Sequence, residues 1–269
     1  MKLTMLGTGN AGVVKYYNTC FILDENGQLL LVDTGGGNQI LSRIDSAGYK
    51  LGDIHHLFIT HKHVDHFLGA FWILRNVSTM MRSGRYDGEL HIYSHREVID
   101  LLADFSVKMF DASFQNFFDD GKVVLHTLSD GEQIPLLGHT FTFFDIQSKK
   151  ADQYGFTVEY APGKRLTCLG DENYHEVNRK YVEGSEWLMH EVFCLYSDKD
   201  ELKPYEKGHS TVKDVAETAH DLGVKNLILY HTEEQITYGY RKDLYTLEAE
   251  RNFGGRVEVP DDLESLELS

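Results

Sequence analysis

Short apolar and β-branched runs recur along the chain and predict strands, and longer segments with helical spacing lie between them. Asn26 and Gly27 form a dipeptide typical of a hairpin turn between two of these runs. Gly48 follows the first helical segment, as expected at a helix end. The predicted strands are residues 2–6, 13–23, 29–32, 54–59, 89–93, 123–128, 140–145, 155–160, 165–169 and 227–230, and the predicted helices are residues 40–47, 67–81, 97–110 and 212–222.

The mixture of strands and helices keeps the same character throughout, without repeats, linkers or low-complexity segments. Hydrophobic residues make up 42% of the 269 residues, which is enough for a sizeable core. Both features predict one domain over residues 1–269. A strand-rich first half and a strand-rich second half, each with helical segments, predict an α/β fold (α+β in layer terms) with helices outside the sheets.

Charge and cysteine usage restrict the partners and the compartment. The chain has 26 Lys plus Arg against 42 Asp plus Glu, a formal net charge of −16, and no Lys/Arg-rich block, which argues against a large nucleic-acid partner. Cys20, Cys168 and Cys194 stand apart in apolar stretches and predict buried thiols, not disulfides. No run approaches the roughly 18 apolar residues of a membrane span, so we expect a cytoplasmic protein without membrane contact.

The strongest chemical signal is the run His-Lys-His-Val-Asp-His, at the turn between a predicted strand and a predicted helix. Imidazole and carboxylate groups are ligands that divalent metals prefer. Crowding them at one turn costs free energy unless a cation neutralises them. The run therefore predicts a metal site, and a His-rich surface turn is the alternative. The candidate ligands are His61, His63, Asp65 and His66.

This run resembles the signature of the metallo-β-lactamase superfamily. The resemblance extends along most of the chain and implies a four-layer αββα sandwich with one or two metals at its edge. It implies that Asp171 bridges two metals and that His231 joins Asp65 and His66 at the second metal. Asp33 is expected either to support the metal-binding loop or to cap the helix that follows it.

Two later segments resemble ribonuclease Z more specifically. Glu191 lies in a His-Glu segment, and His209 begins a His-Ser-Thr segment. In that family the corresponding His is proposed to protonate the leaving oxygen while the Glu orients it. The resemblance thus implies catalytic roles for His209 and Glu191, together with Asp65, which would orient or deprotonate the attacking water. Thr211 also suits a helix N-cap, which is compatible with these roles.

Two departures from the family pattern affect the first metal and the substrate. The family takes a third His from the segment that here spans residues 145–150, which contains no His. His61, His63 and Asp171 would then bind the first metal, with the amide oxygen of Gln147 as a weak replacement. Only 23 residues separate Gln147 from Asp171, so the Gly-rich arm that grips transfer RNA is absent at that place.

Together these features favour a metal-dependent hydrolase, a ribonuclease Z-like phosphodiesterase whose water is activated by two divalent metals. Zn is the first choice of metal, with Mn or Fe as alternatives. A small phosphoester or RNA-like substrate is expected, without extended tRNA contact, and the branch also suggests a homodimer. Two alternatives stay open. One is a carboxylic ester, thioester or small phosphoester hydrolase of the same fold, and the other is a metal-binding module with a decayed first site.

Overall fold

The computed structural model describes residues 1–269, with the side chain of Ala112 left out. Its strands are β1 (Lys2–Gly7), β2 (Cys20–Glu25), β3 (Gln28–Val32), β4 (His56–Phe58), β5 (Leu90–Ser94), β6 (Val123–Thr127), β7 (Glu132–Leu136), β8 (His139–Asp145), β9 (Tyr154–Ala161), β10 (Lys164–Cys168), β11 (Trp187–Glu191), β12 (Asn226–Tyr230), β13 (Arg256–Glu258) and β14 (Ser265–Glu267). Its α-helices are α1 (Gln39–Ser46), α2 (Val64–Phe67), α3 (Gly69–Arg82), α4 (Arg96–Met109), α5 (Gln115–Asp119), α6 (Arg179–Val182), α7 (Lys199–Leu202), α8 (Val212–Asp221) and α9 (Arg241–Glu250).

The first of two compact units contains a mixed sheet in the order β14-β1-β2-β3-β4-β5-β6. Strands β14, β1, β2 and β3 pair antiparallel, and β3 to β6 pair parallel. Asn26 and Gly27 join β2 to β3 with positive φ angles of 54° and 84°, which confirms the predicted hairpin turn. This unit comprises Met1–Gly7, Tyr17–Ser129 and Leu263–Ser269.

One face of the first sheet packs against α1, α3 and α4. Leu31, Leu57 and Ile92 on the strands are fully buried in the same cluster as Ile73 and Leu102 on the helices. These three residues are cross-strand partners in register, Leu31 with Leu57 and Leu57 with Ile92, so their side chains lie on the same face of the sheet. This packing holds the ends of β3 and β4 in place. Asp33 directly follows β3, and the His-rich run of candidate ligands follows β4.

The second unit contains a mixed sheet in the order β13-β12-β11-β10-β9-β8-β7. Strands β7 to β10 pair antiparallel, and β10 to β13 pair parallel. Leu188 and Leu227 on the sheet pack in one buried cluster with Val215 on α8. Thr211 and Asp214 form a capping box at the start of α8, which confirms the predicted N-cap. This unit comprises Thr8–Tyr16 and Asp130–Asp262.

The predicted strand over residues 13–23 is wrong over its first part, since β2 begins only at Cys20. The carboxylate of Glu234 accepts hydrogen bonds from the backbone N–H groups of Val14, Lys15 and Tyr16 at 2.8, 2.9 and 3.1 Å. A side chain therefore satisfies this backbone in place of a neighbouring strand. Burial would raise the pKa of Glu234, but these three donors lower it below its ordinary value.

Two further predictions concern cysteines and membranes. All three cysteines are buried free thiols, as predicted. Across the described part of the chain, every helix is too short or too polar to span a bilayer.

Candidate metal and catalytic site

The first group of predicted ligands lies in the loop after β4 and in helix α2, within the first unit. His61, Asp65 and His66 are buried there. Asp33 follows β3 and accepts hydrogen bonds from the backbone N–H and the hydroxyl of Thr60, both at 2.8 Å, and from Nδ1 of His66 at 2.7 Å. The helix that follows Asp33 has Asn38 at its N-cap. Asp33 thus supports the loop, and the helix-cap alternative is wrong.

These contacts also determine which ring nitrogen of each histidine carries the proton. The hydroxyl of Thr60 gives its proton to Asp33, so it accepts from Nδ1 of His61 at 2.9 Å. His66 likewise donates from Nδ1 to Asp33. In both rings Nε2 is therefore the nitrogen that keeps a lone pair, which is how second-sphere contacts orient metal-binding histidines.

The remaining ligand atoms of this group converge on the same place. Nε2 of His61 lies 2.9 Å from Nδ1 of His63, and Nε2 of His66 lies 3.4 Å from Oδ2 of Asp65. Three imidazoles and a carboxylate form the mixed nitrogen and oxygen donor set that suits Zn, Mn or Fe. The residues present therefore fit a divalent metal.

The second group lies at the ends of β10 and β12, within the second unit. Asp171, His209 and His231 each offer a ligand atom, and these atoms lie within 4.8 Å of one another. Oδ2 of Asp171 lies 3.4 Å from Nε2 of His231. His231 has a φ of 63°, in the left-handed region that a non-glycine residue rarely adopts. Such strain is typical of functional sites, where the surrounding structure enforces it.

Gln153 is a residue of this group that the sequence analysis missed. It is buried, and its Nε2 donates to Oδ1 of Asp171 at 2.8 Å. Gly170 makes room for it, because a Cβ at that position would lie 2.8 Å from the amide nitrogen of Gln153. The available signal was an amide side chain directly before β9, three residues beyond the segment 145–150 in which the sequence analysis looked for a replacement ligand.

Gln147, the predicted weak replacement for the missing histidine, lies elsewhere. Its side chain is exposed, and its Nε2 donates to Oδ2 of Asp145 at 2.7 Å. The amide is therefore bound at the surface by its own neighbour, which contradicts a role beside Asp171. The two strands β9 and β10 that follow are joined by a tight turn at residues 162–163, so the inserted arm is absent here, as predicted.

Glu191 and His209 form a buried acid–imidazole pair, at the end of β11 and before α8. Oε1 of the fully buried Glu191 accepts the backbone N–H of Ser210 at 2.7 Å. Its Oε2 lies 3.3 Å from Nδ1 of His209, a close contact that lacks good hydrogen-bond geometry. Burial would raise the pKa of Glu191, but the neighbouring histidines, His209 first, lower it below its ordinary value. Glu191 is therefore an anion near neutral pH.

Comparison with known proteins identifies relatives of this chain by sequence and by fold. The ribonuclease Z of Archaeoglobus fulgidus is 27% identical over 321 aligned positions, covering 100% of this chain and 98% of that protein. The metallo-β-lactamase fold protein YhfI of Bacillus subtilis superposes with a TM-score of 0.76 at 18% identity, over 98% of each chain. The short form of human tRNase Z superposes with a TM-score of 0.74 at 22% identity, over 100% of each chain.

These similarities confirm the predicted metallo-β-lactamase fold and the predicted class, a metal-dependent hydrolase of the ribonuclease Z-like branch. The family profile described as anti-Pycsar protein Apyc1 matches residues 1–245. The chain therefore belongs to the family of the anti-Pycsar protein Apyc1.

Proposed function

We propose that the chain is a metal-dependent phosphodiesterase. The observation that carries this proposal is the buried Glu191 carboxylate against His209, beside Asp171 and His231. A metal with a purely structural role would have no need of such a pair. Divalent metals, Zn first, would supply an activated water near neutral pH and neutralise charge on the phosphoryl group. The proposed metal ligands are His61, His63, Asp65, His66, Asp171 and His231.

The protein side chains would then divide the proton transfers between them. Asp65 orients or deprotonates the attacking water. His209 donates a proton to the leaving oxygen, and the carboxylate of Glu191, 3.3 Å from Nδ1, holds the donating imidazolium in place for that step. Asp33 holds the ligand His66 in position, and Gln153 holds the ligand Asp171.

The proposed substrate is a small phosphodiester of nucleotide size, and not a transfer RNA precursor. The tight turn between β9 and β10 leaves no inserted arm there to hold a large RNA. The net charge of −16 opposes a polyanion, because phosphate contacts depend on clustered cations. The relatives are named ribonuclease Z, which supports the hydrolysis of a phosphodiester bond as the reaction. The homodimer and the cytoplasmic location stay predictions.

Turnover by the metal-loaded chain tests this proposal. The substrates are bis(p-nitrophenyl) phosphate, a cyclic nucleoside monophosphate, a p-nitrophenyl thioester and a transfer RNA precursor. We expect hydrolysis of the two small phosphodiesters at least about a hundredfold faster than that of the other two. Asp65→Asn should abolish it, whereas Asp87→Asn, which changes an exposed aspartate of the same unit, should not. Thioester turnover that exceeds phosphodiester turnover would refute the proposal.

A further inference from the structure

Arg241 is a charged side chain that lies almost fully buried at the start of helix α9, in the second unit. It is 1% exposed, and both of its terminal nitrogens are hydrogen-bonded. Nη1 donates to the hydroxyl oxygens of Thr8 at 2.8 Å and Thr232 at 3.0 Å. Nη2 donates to the backbone oxygen of Pro260 at 2.8 Å and to Oδ1 of Asp261 at 2.7 Å. This one side chain therefore joins segments that are far apart in sequence.

The chemistry of arginine suits this place. A guanidinium is a rigid, planar fork whose N–H groups point to different sides, whereas a lysine carries all its donors on one atom. A buried charge costs free energy unless it is paired and hydrogen-bonded, and Asp261 supplies the opposite charge. The ring of Tyr16 lies over the guanidinium, with its centroid 4.1 Å from Cζ. The guanidinium is thus held in one orientation and can hold its partners in turn.

Thr232, one of these partners, directly follows the candidate metal ligand His231. The N–H of Thr232 donates to the backbone oxygen of Thr8, and its backbone oxygen accepts from the N–H of Asn10, both at 3.1 Å. Thr8 is itself held by Oδ1 of Asp262, which accepts its N–H at 3.0 Å and its hydroxyl at 2.8 Å. Side-chain and backbone contacts together therefore fix Thr232 in place.

His231 needs such support because its own backbone has an uncommon conformation. Its φ of 63° lies in the left-handed region, which costs free energy for a residue with a Cβ. In this conformation its Nε2 lies 3.4 Å from Oδ2 of Asp171. A return to an ordinary φ would turn the imidazole away from that carboxylate. The contacts of Thr232 oppose this return, because the residue after His231 would have to move with it.

We propose that Arg241 is a positioning residue for the metal site, which holds the ligand His231 in its strained conformation through Thr232. The inference rests on the proposed function only in taking His231 as a metal ligand. Arg241 acts through Thr232 and needs no contact with the metal. Removal of residues that orient a metal ligand typically lowers metal affinity by about 10- to 100-fold.

Removing the charge of Arg241 separates this role from two simpler ones, because each predicts a different result. The guanidinium is positive and repels a bound cation, so loss of its charge alone would tighten metal binding. A role in stability alone would make the chain easier to unfold but leave the metal affinity of the folded protein unchanged. The positioning role predicts that metal affinity falls.

The experiment measures the Zn affinity of the full chain by competition with a chromophoric chelator. Arg241→Gln removes the charge and the fork, and Arg256→Gln, which changes an exposed arginine on β13 of the same unit, is the control. We expect Arg241→Gln to weaken Zn binding about tenfold or more, and Arg256→Gln to change it by less than about twofold. Tighter or unaltered Zn binding in folded Arg241→Gln would overturn the inference.

Thr232→Val is a gentler variant that tests the same contact if Arg241→Gln does not fold. Valine is also β-branched, so this change removes the hydroxyl that accepts from Arg241 and keeps the shape of the side chain. Thr167→Val is the matched control, because Thr167 is also fully buried in this unit and its hydroxyl donates to the backbone oxygen of Tyr181 at 2.8 Å. Both variants should lower the urea midpoint of the metal-free chain, but only Thr232→Val should weaken Zn binding, by about tenfold. Equal Zn affinities in the two variants would contradict the positioning role.

The inference and the proposed phosphodiesterase function fail in different ways. His231→Ala, measured in the same assay, tests whether His231 binds the metal. Weaker Zn binding in His231→Ala, but not in Arg241→Gln or Thr232→Val, would refute the positioning role and leave the proposed site intact. Weaker binding in all three variants, without turnover of any phosphodiester by the wild type, would support the positioning role and refute the proposed function. Unaltered Zn binding in His231→Ala would refute the ligand role on which the inference rests.

Discussion

Replacing Glu191 by Gln tests the proposed proton donor with the smallest change of shape. The side chain is fully buried, and Gln has the same volume and keeps an oxygen to accept the backbone N–H of Ser210. What is lost is the negative charge 3.3 Å from Nδ1 of His209. Glu191→Gln should therefore fold normally and bind metal normally, yet fail to stabilise the protonated imidazole that the leaving group requires.

The size of the effect follows from the geometry. Two unit charges 3.3 Å apart interact by about 5 kcal/mol at an effective dielectric constant of about 20. Positioned acid catalysis typically contributes about 10²- to 10⁴-fold, or about 3–5 kcal/mol, so the two values agree. We expect kcat to fall by that factor for a phosphodiester with a sugar-alkoxide leaving group. With a p-nitrophenolate leaving group, which needs little protonation, the loss should stay below about tenfold.

The assay compares kcat of the wild type and Glu191→Gln on a cyclic nucleoside monophosphate and on bis(p-nitrophenyl) phosphate, at equal metal content. Glu248→Gln is the matched control, because Glu248 also accepts backbone N–H groups, those of Tyr196 and Lys213, in the same unit. Its kcat should stay within about twofold of wild type. Equal losses on both substrates in Glu191→Gln, with metal retained, would refute the argument that Glu191 acts through protonation of the leaving oxygen.

Three further outcomes follow from the structure. Asp33→Asn removes the charge that holds His66 and should weaken metal binding about 10- to 100-fold, measured by competition with a chromophoric chelator. Burial and the neighbouring histidines lower the pKa of His56 from 6.5 to about 4, so its neutral form stabilises the fold above pH 6.5 and this contribution is lost as the pH falls toward 4. His56→Phe should therefore reduce the loss of unfolding free energy between pH 7 and pH 5 by about 1–2 kcal/mol in urea titrations. Gly69→Ala would place a Cβ 2.1 Å from a backbone oxygen and should cost about 1–3 kcal/mol of unfolding free energy, whereas Gly37→Ala, with open space around it, should cost far less.

The parts of the fold that the sequence predicts are those set by local chemistry. Asn26 and Gly27 adopt the positive φ angles that a two-residue hairpin turn needs, and this preference is readable from the dipeptide alone. Thr211 caps α8 through its own side chain and that of Asp214, three residues away. The run of candidate ligands after β4, which continues into α2, was equally readable because its residues are neighbours in sequence.

The parts that the sequence analysis missed depend on contacts over long sequence separations. The backbone at Val14 to Tyr16 has strand-like composition, but Glu234, some 220 residues later, accepts its hydrogen bonds. Gln153 reaches Asp171 only because β9 and β10 lie side by side in the sheet. Composition and spacing do not reveal contacts between residues that are far apart in sequence. The sequence analysis therefore named Gln147 instead of Gln153.

The most direct test of the central claim measures metal content and turnover in the same sample. Protein purified without a His tag is analysed for metal per chain and for hydrolysis of a small phosphodiester, then stripped with a chelator and reloaded. We predict two divalent metals per chain, loss of turnover on stripping, and recovery on reloading with Zn or Mn. Full turnover in the stripped protein would contradict a metal-dependent phosphodiesterase.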